Sequence, residues 1–148
     1  MVDVGPKAAT AREAVARAAV RMRPATLRLI AAGRAPKGDV IAAARLAGIL
    51  AAKRTAELIP LCHPLALEAI DLDIALDRRA GCARLESRVR LVAKTGAEME
   101  ALVAVAVAAL TLYDMCKAVD RAMVIDAIRL VRKTGGKSGT FTRPGERQ

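Results

Sequence analysis

The chain has 148 residues, 54% of them hydrophobic, with one Tyr, one Phe and no Trp, which is enough for one domain with an aliphatic core. The net charge of +10 indicates either an anionic partner or a genome-wide bias towards Arg and Ala. The chain has no CxxC spacing, no signal peptide and no apolar segment long enough to span a bilayer. These absences exclude a disulfide framework, a zinc site and a membrane protein, so we expect a reduced, cytoplasmic protein.

The first third of the chain predicts one strand and two helices. Residues 12–22 place Ala and Val side chains on one face if extended, which is typical of a strand. Pro24 opens a short helix that Gly33 ends. Asp39 can cap a second helix that runs to about Glu57.

Extended backbone is predicted for the middle of the chain. Two prolines stop the second helix and hold the backbone extended around Leu61–His63. Residues 67–76 and 82–92 alternate between apolar and charged side chains, which predicts an antiparallel hairpin with one face in water. Asp71 and Asp73 are expected to pair with arginines of the second strand.

An uncharged helix is predicted from Ala101 to Tyr113. Such a helix must be covered on all faces, and it is too short for a bilayer, so we expect part of the cover to come from another subunit. Thr95 and Glu98 fit a capping box at its start, and the helix is predicted to end near Val119.

The order of the predicted elements indicates the fold class. A last strand over roughly 123–132 leads to the glycine-rich tail TGGKSG, which is expected to be partly flexible from about 134. This order, which is strand, helices, strand, strand, helix and strand, predicts an α+β fold. Its helices are expected to pack on one face of a ferredoxin-like antiparallel sheet. No repeat or linker divides the chain, so residues 1–148 are predicted to form one domain.

The rare lysines are candidates for ammonium chemistry. There are 18 Arg and only 7 Lys, and a desolvated Lys can titrate near neutrality whereas Arg cannot. Lys117 shares a helix face with Asp114, and its place after the apolar helix favours burial. The pair is either a weak surface ion pair or a general acid–base pair.

The single histidine and two glutamates offer further polar groups. His63, in IPLCHPL, is either a satisfied core or capping residue or a group that transfers protons or contacts substrate. Glu100 is the freer glutamate, because Glu98 can be used by the cap. About 20 Å of helix separates Glu100 from Asp114. If one small ligand uses both, a neighbouring subunit supplies one of them.

Two glycine-containing basic segments are candidate anion sites. The tail is not a Walker A loop, because Val131 stands where that motif needs glycine and no helix follows. Its glycines nevertheless allow backbone amides to face an anion, and Lys133 and Lys137 add charge. The alternative is a flexible basic terminus. Lys37, beside Gly and Asp at a helix start, is a similar candidate.

Taken together, these segments resemble the cyclic pyranopterin monophosphate synthase family of molybdenum cofactor biosynthesis, over nearly the whole chain. LIPLCHPL and YDMCKAVD, in this order, are the most specific landmarks. The full set is MVDV at 1–4, KGDV at 37–40, AGI at 47–49, AAKRT at 51–55, LIPLCHPL at 58–65, KTGAEMEAL at 94–102, YDMCKAVD at 113–120 and GGKSG at 135–139.

The resemblance implies a ferredoxin-like subunit in a homohexamer, a trimer of dimers, with sites at subunit interfaces. It implies a lyase that converts a nucleotide-derived small molecule, cyclised dihydro-GTP, to cyclic pyranopterin monophosphate and pyrophosphate. It implies neither a nucleic-acid nor a membrane partner. No redox cofactor or dedicated metal site is expected, although Mg²⁺ could accompany the triphosphate.

The resemblance also implies roles for individual residues. Lys117 would be the main acid–base residue and Asp114 its partner, and His63 and Lys37 would complete the catalytic pocket. The implied substrate-binding residues are Lys133, Arg12 and Lys137 at the phosphates, Glu98, Met99 and Glu100 at the ring system from the adjoining subunit, and Leu61, Cys62 and His63 in the pocket lining.

Two other classes of protein remain as alternatives. The first is an RNA-binding module, but such sheets stack bases on aromatic side chains, and this chain has only Tyr113 and Phe141. The second is a non-catalytic oligomer that binds GTP-like ligands and leaves them unchanged.

Overall fold

The structure is a computed structural model that describes residues 1–146. Within that range the chain forms five strands and four helices. In chain order they are β1 (Thr10–Arg21), α1 (Pro24–Ala31), α2 (Val40–Lys53), α3 (Thr55–Leu58), β2 (Ala69–Asp77), β3 (Cys82–Ala93), α4 (Glu98–Cys116), β4 (Val124–Thr134) and β5 (Phe141–Thr142).

The five strands form one antiparallel sheet in the order β2-β3-β1-β4-β5. The first four have the order of a ferredoxin-like fold, and the helices lie on one face, so the predicted fold class is confirmed. The alternating side chains of β1 explain the layering, because Ala16 and Val20 are fully buried beneath the helices while Arg17 and Arg21 lie on the open face.

The predicted hairpin is confirmed as β2 and β3. Leu72, Leu85 and Val89 face the core, and the predicted cross-strand pairing is present between Arg90 and Asp71, with 3.1 Å between Nη2 and Oδ2. Asp73 instead lies opposite Glu86 in the register. The tail returns along β4, where Thr142 pairs with Arg132. The last two residues of the tail, at 147 and 148, lie outside the described range.

Helix α4 is covered by the sheet on one side and by α2 on the other. At the helix crossing, a Cβ on Gly48 would lie 2.6 Å from the carbonyl oxygen of Ala104 and 2.5 Å from Leu72 Cδ2, so only glycine allows this approach. Leu110 is 58% exposed, and α4 therefore keeps one uncovered apolar position within this subunit.

The predicted ends of two helices are wrong. Helix α4 begins at Glu98, so its cap position is Ala97, which has no side chain that accepts a hydrogen bond, and the expected capping box with Thr95 does not form. The helix ends at Cys116 rather than Val119, and a turn follows. Helix α2 ends at Lys53 rather than Glu57, because Arg54 leaves the helical region with φ −113° and ψ 17°.

The length of α4 also corrects the prediction that no segment could span a membrane. With 19 residues and a mean hydropathy of 1.7 over its most apolar window, this helix is long and apolar enough to cross a membrane, by length and composition alone. Its packing explains the apolar composition, since 56% of that window is buried inside the subunit between the sheet and α2. We therefore describe α4 as a core helix.

Candidate active site

Three charged side chains meet at the carboxyl end of α4, and we name Lys37, Asp114 and Lys117 the lysine cluster. Asp114 lies in the last turn of α4, Lys117 directly follows it, and Lys37 comes from the segment between α1 and α2. The two oxygens of Asp114 are shared: Oδ1 lies 2.6 Å from Lys117 Nζ, and Oδ2 lies 2.6 Å from Lys37 Nζ. One carboxylate therefore holds two ammonium groups side by side.

The electrostatics of the lysine cluster favour full ionisation. Hydrogen bonds from Lys117 and then Lys37 lower the pKa of Asp114 to about 2. The hydrogen bond to Asp114 raises the pKa of Lys117 above its ordinary value. At neutral pH, Lys117 is therefore an ammonium group paired with the Asp114 carboxylate.

The expected burial of this pair is not observed within the subunit. The side chains of Lys37 and Asp114 are each 51% exposed, and that of Lys117 is 52% exposed. Met115 and Cys116, between the two residues, are buried in the core, so Asp114 and Lys117 lie on the opposite, outward side of this turn.

A second group of residues lines a cavity of about 460 Å³ at the amino end of α4, which we name the loop pocket. Residues 62–67, which form neither helix nor strand, pass along one side of it, and the first turn of α4 forms the other. The sequence-predicted members that line it are Leu61, Cys62, His63, Glu98, Met99 and Glu100.

Glu100 is the most buried carboxylate of the loop pocket, at 4% exposure. Burial raises its pKa, and the nearby charge of Glu98 adds to that effect. Burial also raises the pKa of the Cys62 thiol, with a further contribution from the charge of Glu100. This environment disfavours a thiolate, so it does not provide a nucleophilic cysteine.

A third group, the tail cluster of Arg12, Lys133, Lys137 and Gly136, lies at the same end of the sheet as the loop pocket. Arg12 Nε donates to the carbonyl of Ala93 at 2.9 Å, and Lys133 Nζ bonds to the hydroxyl of Ser138. A Cβ on Gly136, whose φ is +72°, would collide with the guanidinium of Arg12. Glycine therefore allows the tail to pass directly over Arg12.

The structure thus brings the predicted site residues together in two places. The loop pocket and the tail cluster are neighbours, because Arg12 Nη2 donates to the carbonyl of Lys94, and the next residue, Thr95, lines the pocket. The lysine cluster lies at the far end of α4, about 20 Å from Glu100 by the rise of the helix. The chain therefore holds the predicted site residues in two separate groups.

A larger cavity, of about 810 Å³, lies on the open face of the sheet. Its arginines are paired with its carboxylates, as in the contacts of Arg17 with Glu86 and of Arg21 with Asp126, both at 2.6 Å. These charges largely neutralise one another, and none of the residues predicted for the site lines this cavity.

Sequence reasoning missed several residues at these places. Val2 and Val4 line the loop pocket, and the Lys94 ammonium holds this amino-terminal segment by donating to the carbonyl of Gly5 at 2.7 Å. Asp120, in the quoted motif YDMCKAVD, is 1% exposed beside Thr26. A charged residue that is buried just after Lys117 has no signature in a single sequence.

Within 1–146, no group of three or more His, Cys, Asp and Glu side chains is placed to hold a metal ion.

The fold and these two groups of residues define a basic ferredoxin-like protein with two lysines paired to one carboxylate at one end of its core helix and a pocket beside a basic tail at the other. Such a protein is suited to a small anionic ligand. The chain belongs to the MoaC family, whose family model matches residues 1–136.

Relatives are similar over nearly the whole chain. A protein of Pelotomaculum thermopropionicum is 62% identical over 99% of this chain and 86% of its own length. One of Roseiflexus is 64% identical over 95% of this chain and 89% of its own, and one of Thermomicrobium roseum is 61% identical over 97% and 86%. Each of these relatives is named cyclic pyranopterin monophosphate synthase.

Proposed function

We propose that this chain is a cyclic pyranopterin monophosphate synthase of molybdenum cofactor biosynthesis. It converts cyclised dihydro-GTP to cyclic pyranopterin monophosphate and releases pyrophosphate. The observation that carries the proposal is an identity of 61% to 64%, over at least 95% of the chain, to relatives with that name.

In this proposal the lysine cluster performs the proton transfers. Lys117 begins as the acid, since Asp114 keeps it protonated, and becomes the base once it has given up its proton. Lys37 holds the second oxygen of Asp114 and so orients the carboxylate. The proton transfers open and reclose the purine-derived ring, and His63 contacts the substrate from the loop pocket.

The basic tail cluster performs a different task at the triphosphate. A substrate hydroxyl attacks the α-phosphorus, loses its proton to a base, and the bond from that phosphorus to the pyrophosphate oxygen breaks. Arg12, Lys133 and Lys137 neutralise the charge that develops on the departing pyrophosphate. The backbone beside Gly136 supplies further donors.

A complete site requires a second copy of the chain, because the two groups of site residues, which act as half-sites in this proposal, lie at opposite ends of α4. The helix layer exposes apolar side chains suited to such a contact, including Leu46 (59%), Leu50 (49%) and Leu110 (58%). Two copies related by a two-fold axis, with their α4 helices antiparallel, would place one copy's Glu100 beside the other's Lys117. Three such dimers would form the hexamer implied by the family resemblance.

The proposed reaction involves no net oxidation or reduction, so it needs no redox cofactor. Any Mg²⁺ would enter with the triphosphate as part of the substrate. The chemistry and the small nucleotide-derived substrate suit a cytoplasmic enzyme with no nucleic-acid or membrane partner.

The test is pyrophosphate release from freshly prepared cyclised dihydro-GTP, with mass detection of the cyclic monophosphate. We expect stoichiometric release and product formation by the wild-type chain, and neither by Lys117→Ala. Tight binding without turnover would favour the nucleotide-sensing alternative instead. A salt-sensitive shift of RNA without turnover would favour the RNA-binding alternative.

A further inference from the structure

Asp120 is a carboxylate that the proposed chemistry does not use, and it is 1% exposed. A buried charge is costly unless it is bonded on all sides, so its partners indicate its purpose. Its Oδ2 accepts from the backbone N–H of Arg23 at 2.9 Å and from the hydroxyl of Thr26 at 2.8 Å. Its Oδ1 accepts no hydrogen bond from the described residues but lies 3.2 Å from Arg23 Nε, an ion-pair distance.

These partners lie at the start of α1, which has no cap of its own. The N-cap residue is Arg23, whose side chain makes no capping hydrogen bond, and Pro24 follows. Asp120 therefore supplies from a distant part of the chain the carboxylate that helix starts favour. Burial opposes its ionisation, but the hydrogen bonds from Arg23 and Thr26 leave the pKa of Asp120 below its ordinary value.

The same residue also closes the end of α4. The backbone N–H groups of Val119 and Asp120 donate to the carbonyl of Cys116 at 2.9 and 3.0 Å, and the Arg23 guanidinium donates to the carbonyl of Val119. The turn that carries the backbone of Lys117 is therefore fixed against α1. The ammonium of Lys117, in contrast, is half-exposed and depends on its backbone for its position.

Helix α1 leads in turn to Lys37. Lys37 lies in the segment between α1 and α2, and Ala35 in the same segment is buried against the core. The backbone of Lys37 thus follows α1, and that of Lys117 follows the turn at the end of α4. Asp120 is bonded to both of these supports.

We propose that Asp120 is a positioning residue, which joins α1 to the end of α4 so that Lys37 and Lys117 meet at the two oxygens of Asp114. This proposal rests on the proposed function only where turnover is the measurement. The arrangement of the lysine cluster itself can be tested without turnover.

The activity experiment compares substitutions at both ends of the Asp120 contact in the full chain. Asp120→Ala should lower kcat about 100-fold, as expected for misplaced acid–base groups, with KM within about threefold. Asp120→Asn keeps an acceptor for Arg23 and Thr26 and should restore part of kcat. Thr26→Val should lower kcat less than Asp120→Ala, and Thr26→Ser should restore it.

Ser87→Ala is the matched control. It removes an equally buried hydrogen bond, from Ser87 Oγ to the carbonyl of Ala101 at 2.7 Å, but near the other end of α4. It should leave kcat within about twofold, since the loss of one neutral hydrogen bond costs only stability. If Ser87→Ala and Thr26→Val lower kcat equally, Asp120 has only a structural role.

Competitive acylation of the lysines at pH 8, read by mass spectrometry, tests the positioning without turnover. In wild type, Lys117 should react slowly because its ammonium is paired, with Lys7 as the internal reference. In Asp120→Ala, labelling of Lys117 and Lys37 should rise severalfold relative to Lys7. If Asp120→Ala does not fold, Thr26→Val takes its place and should show the same rise. Unchanged labelling in a folded variant would overturn the proposal, whatever the wild-type activity proves to be.

Discussion

The two ends of α4 carry carboxylates that behave in opposite ways. At the amino end, Glu100 is buried and its pKa is raised. At the carboxyl end, Asp114 is half-exposed between two lysines and its pKa falls to about 2. The helix dipole alone would favour a negative charge at the amino end, so burial outweighs the dipole there.

The comparison indicates a division of labour. A carboxyl group that resists ionisation in a cavity is suited to hydrogen bonding with a neutral ring, whereas a fully ionised carboxylate is suited to holding ammonium groups. The apolar helix between them fixes their separation. Each end then has half of the groups that the proposed reaction requires.

The largest expected effect is at the carboxyl end. Lys117→Ala should lower kcat by about 100- to 10,000-fold, the range for loss of a general acid–base group. Lys117→Arg is the matched control, because it keeps the charge near Asp114 while a guanidinium gives up a proton far less readily than an ammonium group. Steady-state pyrophosphate release measures both. Full activity in the Arg variant would show that Lys117 contributes only charge.

The helix layer between the ends should affect stability and not chemistry. Gly48→Ala should reduce the free energy of unfolding by about 1–3 kcal/mol, because its Cβ would overlap Leu72 and the backbone of Ala104. Urea unfolding measures this loss. Ala42→Ser, on the exposed side of the same helix, should change stability by less than about 0.5 kcal/mol. A large loss of kcat in folded Gly48→Ala would mean that α2 takes part in positioning.

At the amino end, Glu100→Gln should lower kcat/KM about tenfold. At neutral and higher pH, the same variant should have a higher Tm than wild type. The activity falls if the carboxyl group bonds the substrate. The stability rises because burial raises the folded-state pKa of Glu100 above the ordinary 4.5, so ionisation at higher pH destabilises the folded chain. Tm as a function of pH should therefore fall less steeply above pH 4.5 in the variant. A lower Tm at neutral pH would contradict this.

The smallest effect concerns the stability of the lysine cluster in acid. The folded-state pKa of Asp114 is about 2 against an ordinary 3.8, so its contribution is fully present above pH 3.8 and is lost as the pH falls through 2. Asp114→Asn should remove that part of the acid dependence. Because the group is half-exposed, we expect only a minor change in Tm. An unchanged acid profile would show that the pairs contribute nothing.

Much of the fold was predictable from the sequence, because its patterns are strong. The alternation in 67–76 and 82–92 predicted β2 and β3, and the uncharged run after Glu100 predicted the core helix. The ends of the helices were less predictable. The Thr95 cap failed because the helix starts two residues later than the predicted cap requires, with Ala97 at the N-cap, so the Thr95 side chain does not cap the first free N–H groups.

The candidate site was predictable in its residues and not in its environment. Motifs identify Lys117, Asp114 and Lys37, but their exposure depends on where α1 and α4 end. The burial of Glu100 depends on the loop around Cys62, and that of Asp120 on a helix almost 100 residues away in the chain. Such long-range contacts leave no local pattern in one sequence.

The most direct test of the account is complementation between inactive subunits. Lys117→Ala subunits are mixed, dissociated and reassociated with subunits that carry both Glu98→Ala and Glu100→Ala, and pyrophosphate release from cyclised dihydro-GTP is measured. If two copies share each site, half of the dimers are mixed and each has one intact site, so activity should return to about a quarter of wild type. Activity no higher than that of the separate variants, despite proven subunit exchange, would contradict a site built from opposite ends of α4.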